Sequence, residues 1–328
     1  MFIPEYTITA KTLKNIASIE YGKAIIDSIV VLQNWERQIQ TQTLVDSISA
    51  NLQLEGLAVS DDVVKKAANQ LLTNPPIEVS NFKKAFDYSI EASKHRELNE
   101  ETLKYINTVV TNELNTKKSI YRSNNITGKT LPEEILAEVV ELFDWLNSMD
   151  ARDTHPVVAA AITKARLEEI VPFESFNTTT ANIMTNVVLQ TVNYSFRNFV
   201  DISIYYNKGQ KEYFKLTAYL TKNTNDFTQW LEYFSQGYAM QVATTQEKVK
   251  LLARDTKVAK ATGRVRLTQR QEKIVEYLQD YGLIQNKDFP KLFPEKSEDS
   301  ILRDLKVLID LGIIQKAGST KSSRYELK

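Results

Sequence analysis

The chemistry open to this chain is narrow. His95 and His155 are its only imidazoles and it has no cysteine. Thiolate nucleophiles, thiolate metal sites and disulfides are thereby excluded together, and the composition suits a reducing compartment, taken as the cytoplasm. Residue types that could form a site converge in one stretch, 155–192, which reads HPVVAAAITKARLEEIVPFESFNTTTANIMTNVVLQTV. Its polar break over 171–180 offers Glu174, Ser175, Asn177, Thr178, Thr179 and Thr180. Before the break Val158, Ala161, Ile162, Ala165 and Ile170 keep a helical period; after it Ala181, Met184, Val187 and Val188 do the same. A helix, a short loop and a second helix pointing its N-terminus into that loop predict an anion site. His155 is followed by Pro156 and is read as the entry to the first helix. It lies a whole helix from the loop, with nothing adjacent to orient it as a base. His95 sits among Lys94, Arg96 and Glu97 and is read as solvated.

The elements that must position this stretch follow from length and pattern. A chain of 328 residues predicts two or three domains, and zero net charge with pI near 6.8 sets up no global field toward nucleic acid or membrane. No basic segment followed by an apolar run opens the chain, so no signal peptide is expected, and no apolar window is long enough to span a bilayer. Residues 1–98 read as a helical region, with an amphipathic run through Ile16, Ile19, Ile25, Ile29, Leu32 and Trp35 capped by Thr9 or Thr12. Asn74-Pro75-Pro76 punctuates it, and Asn99 is placed to cap the next helix. Residues 99–253 form the expected core. Within it, 121–128 (YRSNNITG) is predicted as a β-hairpin, because Asn124, Asn125 and Gly128 supply turn residues. Pro132 with Glu133 and Glu134 opens a helix burying Val139, Leu142, Phe143, Trp145 and Leu146. The basic, small-residue stretch 254–266 (RDTKVAKATGRVR) reads as a linker.

Residues 267–328 have their own pattern. Three helical segments, the third burying Ile301, Leu302, Leu305, Leu308 and Ile309 and ending at Gly312, precede two short strands around Gly318-Ser319-Thr320. This is the order of a winged helix-turn-helix. Residues 264–328 hold 13 basic and 10 acidic side chains, a balance of +3. Arg303 and Lys306 fall on the outer face of the third helix, and Lys316, Lys321 and Arg324 on the wing, where they could meet phosphates; Ser300 and Arg303 could read bases. Glu298 and Asp299 oppose that reading, and dimerisation or protein docking is the alternative.

The central loop resembles the signature of the Fic family of nucleotidyl transferases, H-P-F-x-[D/E]-G-N-[G/K]-R-x-x-R. Pro172, Phe173 and Asn177 match it. Val171 stands at the catalytic His, Ser175 at the metal-binding acid, Phe176 and Thr178 at the two glycines, and Thr179 and Asn182 at the two arginines. The resemblance implies a mainly α fold, with a Fic-type helical core, a small β-hairpin flap at 121–128 and a winged helix behind. It also implies an inhibitory-helix remnant at 49–56: Glu55-Gly56 fits the end of [S/T]-x-x-x-E-[G/N], but Asn51 replaces the hydroxyl residue. The other reading of these residues is a helix ended by Gly56 with Glu55 solvated in its last turn. Adenylyl transfer needs a base, a bridging cation, a backbone nest and a cationic clamp. Val171 accepts no proton, Ser175 is a poor magnesium ligand, side chains at 176 and 178 crowd the nest, and Thr179 and Asn182 bring no charge. Thus Phe173, Asn177, Thr178 and Thr179 are expected as a nucleotide-site remnant, with no catalytic residue, metal or cofactor. The expected protein is a regulatory or binding module acting through DNA. A pseudoenzyme that binds a protein partner or a second copy is one alternative. An active adenylyltransferase using ATP and Mg2+ is the other.

Overall fold

The structure is a computed structural model that describes residues 2–29, 33–95, 97–114, 121–221, 226–261, 267–310, 313–317 and 323–327. Two compact units emerge: Met1–Ile29 with Gln38–Val249, and Val30–Arg37 with Lys250–Lys328. The first holds, in order, α1 (Ala10–Ser28), α2 (Gln33–Leu54, from residue 38 on), α3 (Asp61–Ala68), α4 (Ile77–Ala92) and α5 (Glu100–Val110). It continues through α6 (Ile135–Asn147), α7 (Met149–Asp153), α8 (Pro156–Ile170), α9 (Asn177–Thr191), α10 (Ser203–Lys208), α11 (Gln210–Tyr219) and α12 (Thr228–Ala261, up to residue 249). The fold class is mainly α, as expected.

Local chemistry sets the helix ends. Thr9 caps α1 by accepting from the Thr12 N–H, and Asn99 caps α5 by accepting from the Thr102 N–H. His155 caps α8 with Pro156 in its first turn: Nδ1 accepts from the Val157 N–H at 3.3 Å. Its other nitrogen lies 3.2 Å from Glu20 Oε1. The expected entry role holds.

At the centre lie α8 and α9. Every residue of α8 from Val157 to Ile170 is buried, and α9 is buried over most of its length. α8 is enclosed on all sides although it carries Lys164, Arg166, Glu168 and Glu169, and its small residues Ala159, Ala160, Ala161 and Ala165 let neighbours approach closely. Trp230 of α12 donates from its indole nitrogen to the Ala161 carbonyl at 2.8 Å.

Three expectations change. Residues 1–98 are no separate region: α4 lays its buried face (Val79, Phe82, Ala85) against α5 and α9 as well as meeting α3. The stretch 121–128 forms no strand; it is an irregular loop, since its backbone is tied to 170–174 instead of to itself. The linker composition of 254–266 does not break the helix: α12 runs to Ala261, Lys and Ala being good helix formers, while 262–266 lie outside the described residues.

The second unit contains α13 (Gln269–Tyr281), β1 (Leu283–Gln285), α14 (Phe289–Leu292), α15 (Glu298–Asp310), β2 (Ile314–Ala317) and β3 (Arg324–Leu327). Its sheet has the order β1-β3-β2, antiparallel throughout, with Ile284 opposite Tyr325 and Lys316 opposite Tyr325. Strand β1 is additional to the two expected; at three residues it is too short for alternation to reveal. Ile274, Leu278, Ile284, Phe289, Ile301, Leu305, Leu308, Ile314 and Tyr325 form the core of this unit. Gly312 lies outside the described residues.

Candidate functional site

The loop 171–176 joins α8 to α9, and both of its ends are left-handed. Val171 closes α8 at φ 47°, ψ 66°, its N–H donating to the Leu167 carbonyl at 2.9 Å. Phe176 opens α9 at φ 56°, ψ 33°, with no side-chain cap. An L side chain in this region costs about 1–2 kcal/mol, because Cβ crowds the following carbonyl. Other contacts must therefore hold the loop. Asn177 braces it twice, accepting from the Phe173 N–H at 2.8 Å and donating to the Phe173 carbonyl at 2.7 Å. Asn107 of α5 donates to the Ser175 carbonyl at 3.1 Å and to Thr180 Oγ1 at 3.0 Å. Phe173 and Asn177 are thus tied together in one structured turn, with Thr178 following in the first turn of α9.

Arg122 is the larger support, and nothing in the residue pattern marks it. The side chain is 2% exposed. Nε donates to the Val171 carbonyl at 2.7 Å and Nη2 to the Ile170 carbonyl at 3.1 Å. Its other donors reach the carbonyls of Asn124 (2.6 Å) and Thr130, and its backbone N–H meets the Pro172 carbonyl at 2.9 Å. The guanidinium thus satisfies the last carbonyls of α8 and lies at the negative end of that helix. Beside it, the exposed carboxylate of Glu174 accepts from the Ser123 N–H at 3.1 Å.

The N-terminus of α9 is already engaged by a carboxylate of the same chain. Thr179 N donates to Glu55 Oε1 at 2.8 Å. Glu55 is half-buried, so the reading of it as a solvated last-turn residue is corrected, the α9 dipole and N–H having drawn the carboxylate in. The other half of that reading stands: Gly56 ends α2 at φ 77°, and the Leu57 N–H returns to the Leu52 carbonyl at 2.8 Å. Burial pushes the Glu55 carboxyl above its ordinary value; the Thr179 hydrogen bond and the Lys164 ammonium oppose this, and Glu168 adds to it. One turn earlier on α2, Asn51 accepts from Asn182 Nδ2 at 2.8 Å and donates to the Ser47 carbonyl at 2.9 Å, both amides being buried. Position 182 is therefore held in an amide–amide contact.

Beneath α9 lies a charge pair with no exposure to speak of. Lys164 is 0% exposed; its Nζ is 2.5 Å from Glu168 Oε1 and 3.3 Å from the Thr178 carbonyl. The ammonium also lies 5.6 Å from the Tyr213 ring and 5.9 Å from that of Tyr206. Tyr213 donates to Glu168 Oε1 at 2.7 Å. Burial pushes the Glu168 carboxyl up, but Lys164, the Tyr213 hydroxyl and Lys129 outweigh it and hold the group below its ordinary value. In the sequence Lys164 and Glu168 look like any i,i+4 surface pair; only the all-round burial of α8 sets them apart.

The Thr179 N–H is already engaged by a carboxylate, and the Lys164 ammonium is enclosed by Glu168 and the Thr178 carbonyl. Among the described residues no three His, Cys, Asp or Glu side chains converge.

In the second unit, Arg303 and Lys306 are exposed on α15 and Ser300 is half-buried. Lys316 is exposed on β2 and lies 5.9 Å from the Tyr325 ring. Arg324 is exposed on β3, but its Nε is 2.8 Å from Glu326 Oε1, which offsets its charge. Lys321 lies outside the described residues. The first turn of α15 carries exposed Glu298 and Asp299. Asp304, turned inward, accepts from Gln271 at 3.0 Å and pairs with Arg270.

No family model matches the sequence. Solved structures do match the fold. A Fic family protein from Desulfovibrio desulfuricans G20 superposes with a TM-score of 0.64 at 17% identity, over 100% of this chain and 98% of that one. Fic-1 from C. elegans gives 0.59 at 15% identity, over 75% and 73%. A Fic domain containing signaling protein from Bacteroides thetaiotaomicron gives 0.58 at 18% identity, over 72% and 98%. At these identities what is shared is the fold, and the fold of this chain is that of Fic proteins.

Proposed function

We propose that this Fic-fold protein is a binding and regulatory module without nucleotidyl transfer, and that it engages DNA through its C-terminal unit, read here as a winged helix. The observation that carries the first part is the Glu55 carboxylate on the Thr179 N–H, 2.8 Å away, where a nucleotide phosphate would have to sit. A triphosphate brought to that helix end would meet a negative charge and no cationic side chain at positions 179 or 182, a repulsion strengthened by burial. Val171 supplies no base. Catalytic-site degeneracy therefore leaves the loop as scaffold.

DNA binding is supported by the order of three helices and a small antiparallel sheet, with Arg303, Lys306 and Lys316 exposed on α15 and β2. Glu298 and Asp299 at the start of α15 favour contacts made by its later turns and by the wing. Three to four neutralised phosphates predict a slope of log K against log salt of about −3. Fluorescence anisotropy of the full chain on random duplex DNA, titrated with salt, tests this. Binding with such a slope that is lost in Arg303→Glu/Lys306→Glu supports the reading. Absence of binding at low salt overturns it in favour of protein docking. Transfer of label from ATP to any protein would overturn the loss of nucleotidyl transfer.

A further inference from the structure

We propose a second ligand site, at the end of the α8/α9 pair opposite the 171–176 loop, that takes a monoanionic amphipath: an aliphatic or aryl body with a single carboxylate or sulfonate head. A cleft of about 510 Å3 opens there. That volume lies within the range of small-molecule sites, about 300–1,000 Å3. The fifteen residues of α8 separate it from the loop by about 22 Å at 1.5 Å rise per residue, so it is no part of the degenerate site.

The lining determines the chemistry. Leu98, Leu146, Ala159, Val188 and Val192 supply aliphatic surface from four separate elements. Val192 is 47% exposed in the cleft, an apolar side chain left to water at the very end of α9. The polar groups are mostly committed: Asn147 bonds both the carbonyl and the N–H of Leu98, Thr154 bonds the Asp150 carbonyl, and Thr191 the Val188 carbonyl. Arg152, exposed in the last turn of α7, makes no ion pair among the described residues. A planar guanidinium with free donors selects a carboxylate or sulfonate by paired hydrogen bonds. Glu97, exposed on the same lining, disfavours further negative charge beyond the one Arg152 can pair, so dianions are expected to bind more weakly. An apolar body with one negative head satisfies all three features.

Calorimetry on the full chain with four eight-carbon probes tests this: octanoate, octanol, octylamine and suberate. Octanoate is expected to bind at one site, with octanol, octylamine and suberate each at least about 10-fold weaker, the loss expected for one charge-assisted hydrogen bond. Arg152→Glu, an exposed change that the fold should tolerate, is expected to weaken octanoate by at least about 10-fold, and Val192→Asp to do the same through the apolar wall. No heat from octanoate in the millimolar range overturns the proposal. So does octanoate binding that survives Arg152→Glu, or suberate binding equal to octanoate. DNA affinity is read separately, so failure here leaves the proposed function standing.

Discussion

Replacing Lys164 by Met should turn a buried ion pair into a liability. Methionine nearly conserves the volume of the lysine stem, so packing against Tyr206 and Tyr213 is kept while the ammonium is lost. Glu168 then stays buried with the Tyr213 hydroxyl as its remaining side-chain hydrogen bond. Breaking a buried pair by removing one partner costs about 3–5 kcal/mol. At about 2–4 °C per kcal/mol for a unit of this size, the melting temperature should fall by about 6–20 °C. The pH dependence provides a sharper test. In the parent protein Glu168 is held below its ordinary value, so its contribution is full above the unfolded carboxylate range and is lost as pH falls into that range. In Lys164→Met burial dominates and raises the same group. Its charged form then destabilises the fold, and stability is regained as pH falls from 8 toward 5. Urea unfolding followed by circular dichroism at pH 8, 7, 6 and 5 reads both effects. The reasoning is refuted if the variant loses under 1 kcal/mol, or if its stability relative to the parent does not improve as pH falls. Lys164→Met/Glu168→Gln, which removes both charges, should recover most of the loss.

Two further substitutions test the loop. Val171→Gly removes a β-branched residue from a left-handed position, relieving about 1–2 kcal/mol against a glycine entropy cost of about 0.5–1 kcal/mol. A urea midpoint raised at constant m, equivalent to about 0.5–1 kcal/mol of added stability, is expected, and a destabilised variant would contradict the strain account. Arg122→Leu strands the carbonyls of Ile170, Val171, Asn124 and Thr130, and should cost about 3–5 kcal/mol, several buried acceptors at about 1–3 kcal/mol each with partial relaxation. Arg122→Lys should fail to restore it, since one ammonium cannot span four carbonyls, and full recovery in that variant by thermal melting would show that charge alone matters.

What the sequence by itself determined is what depends on neighbours along the chain. Helical period located α8 and α9, Pro156 and His155 marked the entry to α8, Gly56 the exit of α2, and the pattern of 267–328 foretold three helices and a small sheet. The neutral side chains at Val171, Ser175, Thr179 and Asn182 were legible too, because identity is read directly from letters. Tertiary structure alone decided which polar groups meet. Glu55 reaches Thr179 across 124 residues of chain and Asn51 reaches Asn182 across 131. Arg122 was hidden for a further reason: its partners at 170 and 171, 48 and 49 residues away, are carbonyls common to every residue and so leave no side-chain signature. Periodicity reports the face a residue occupies within its own element; it carries no information on whether a second element covers the polar face as well. For that reason the i,i+4 spacing of Lys164 and Glu168 carries no sign that α8 is enclosed on every side.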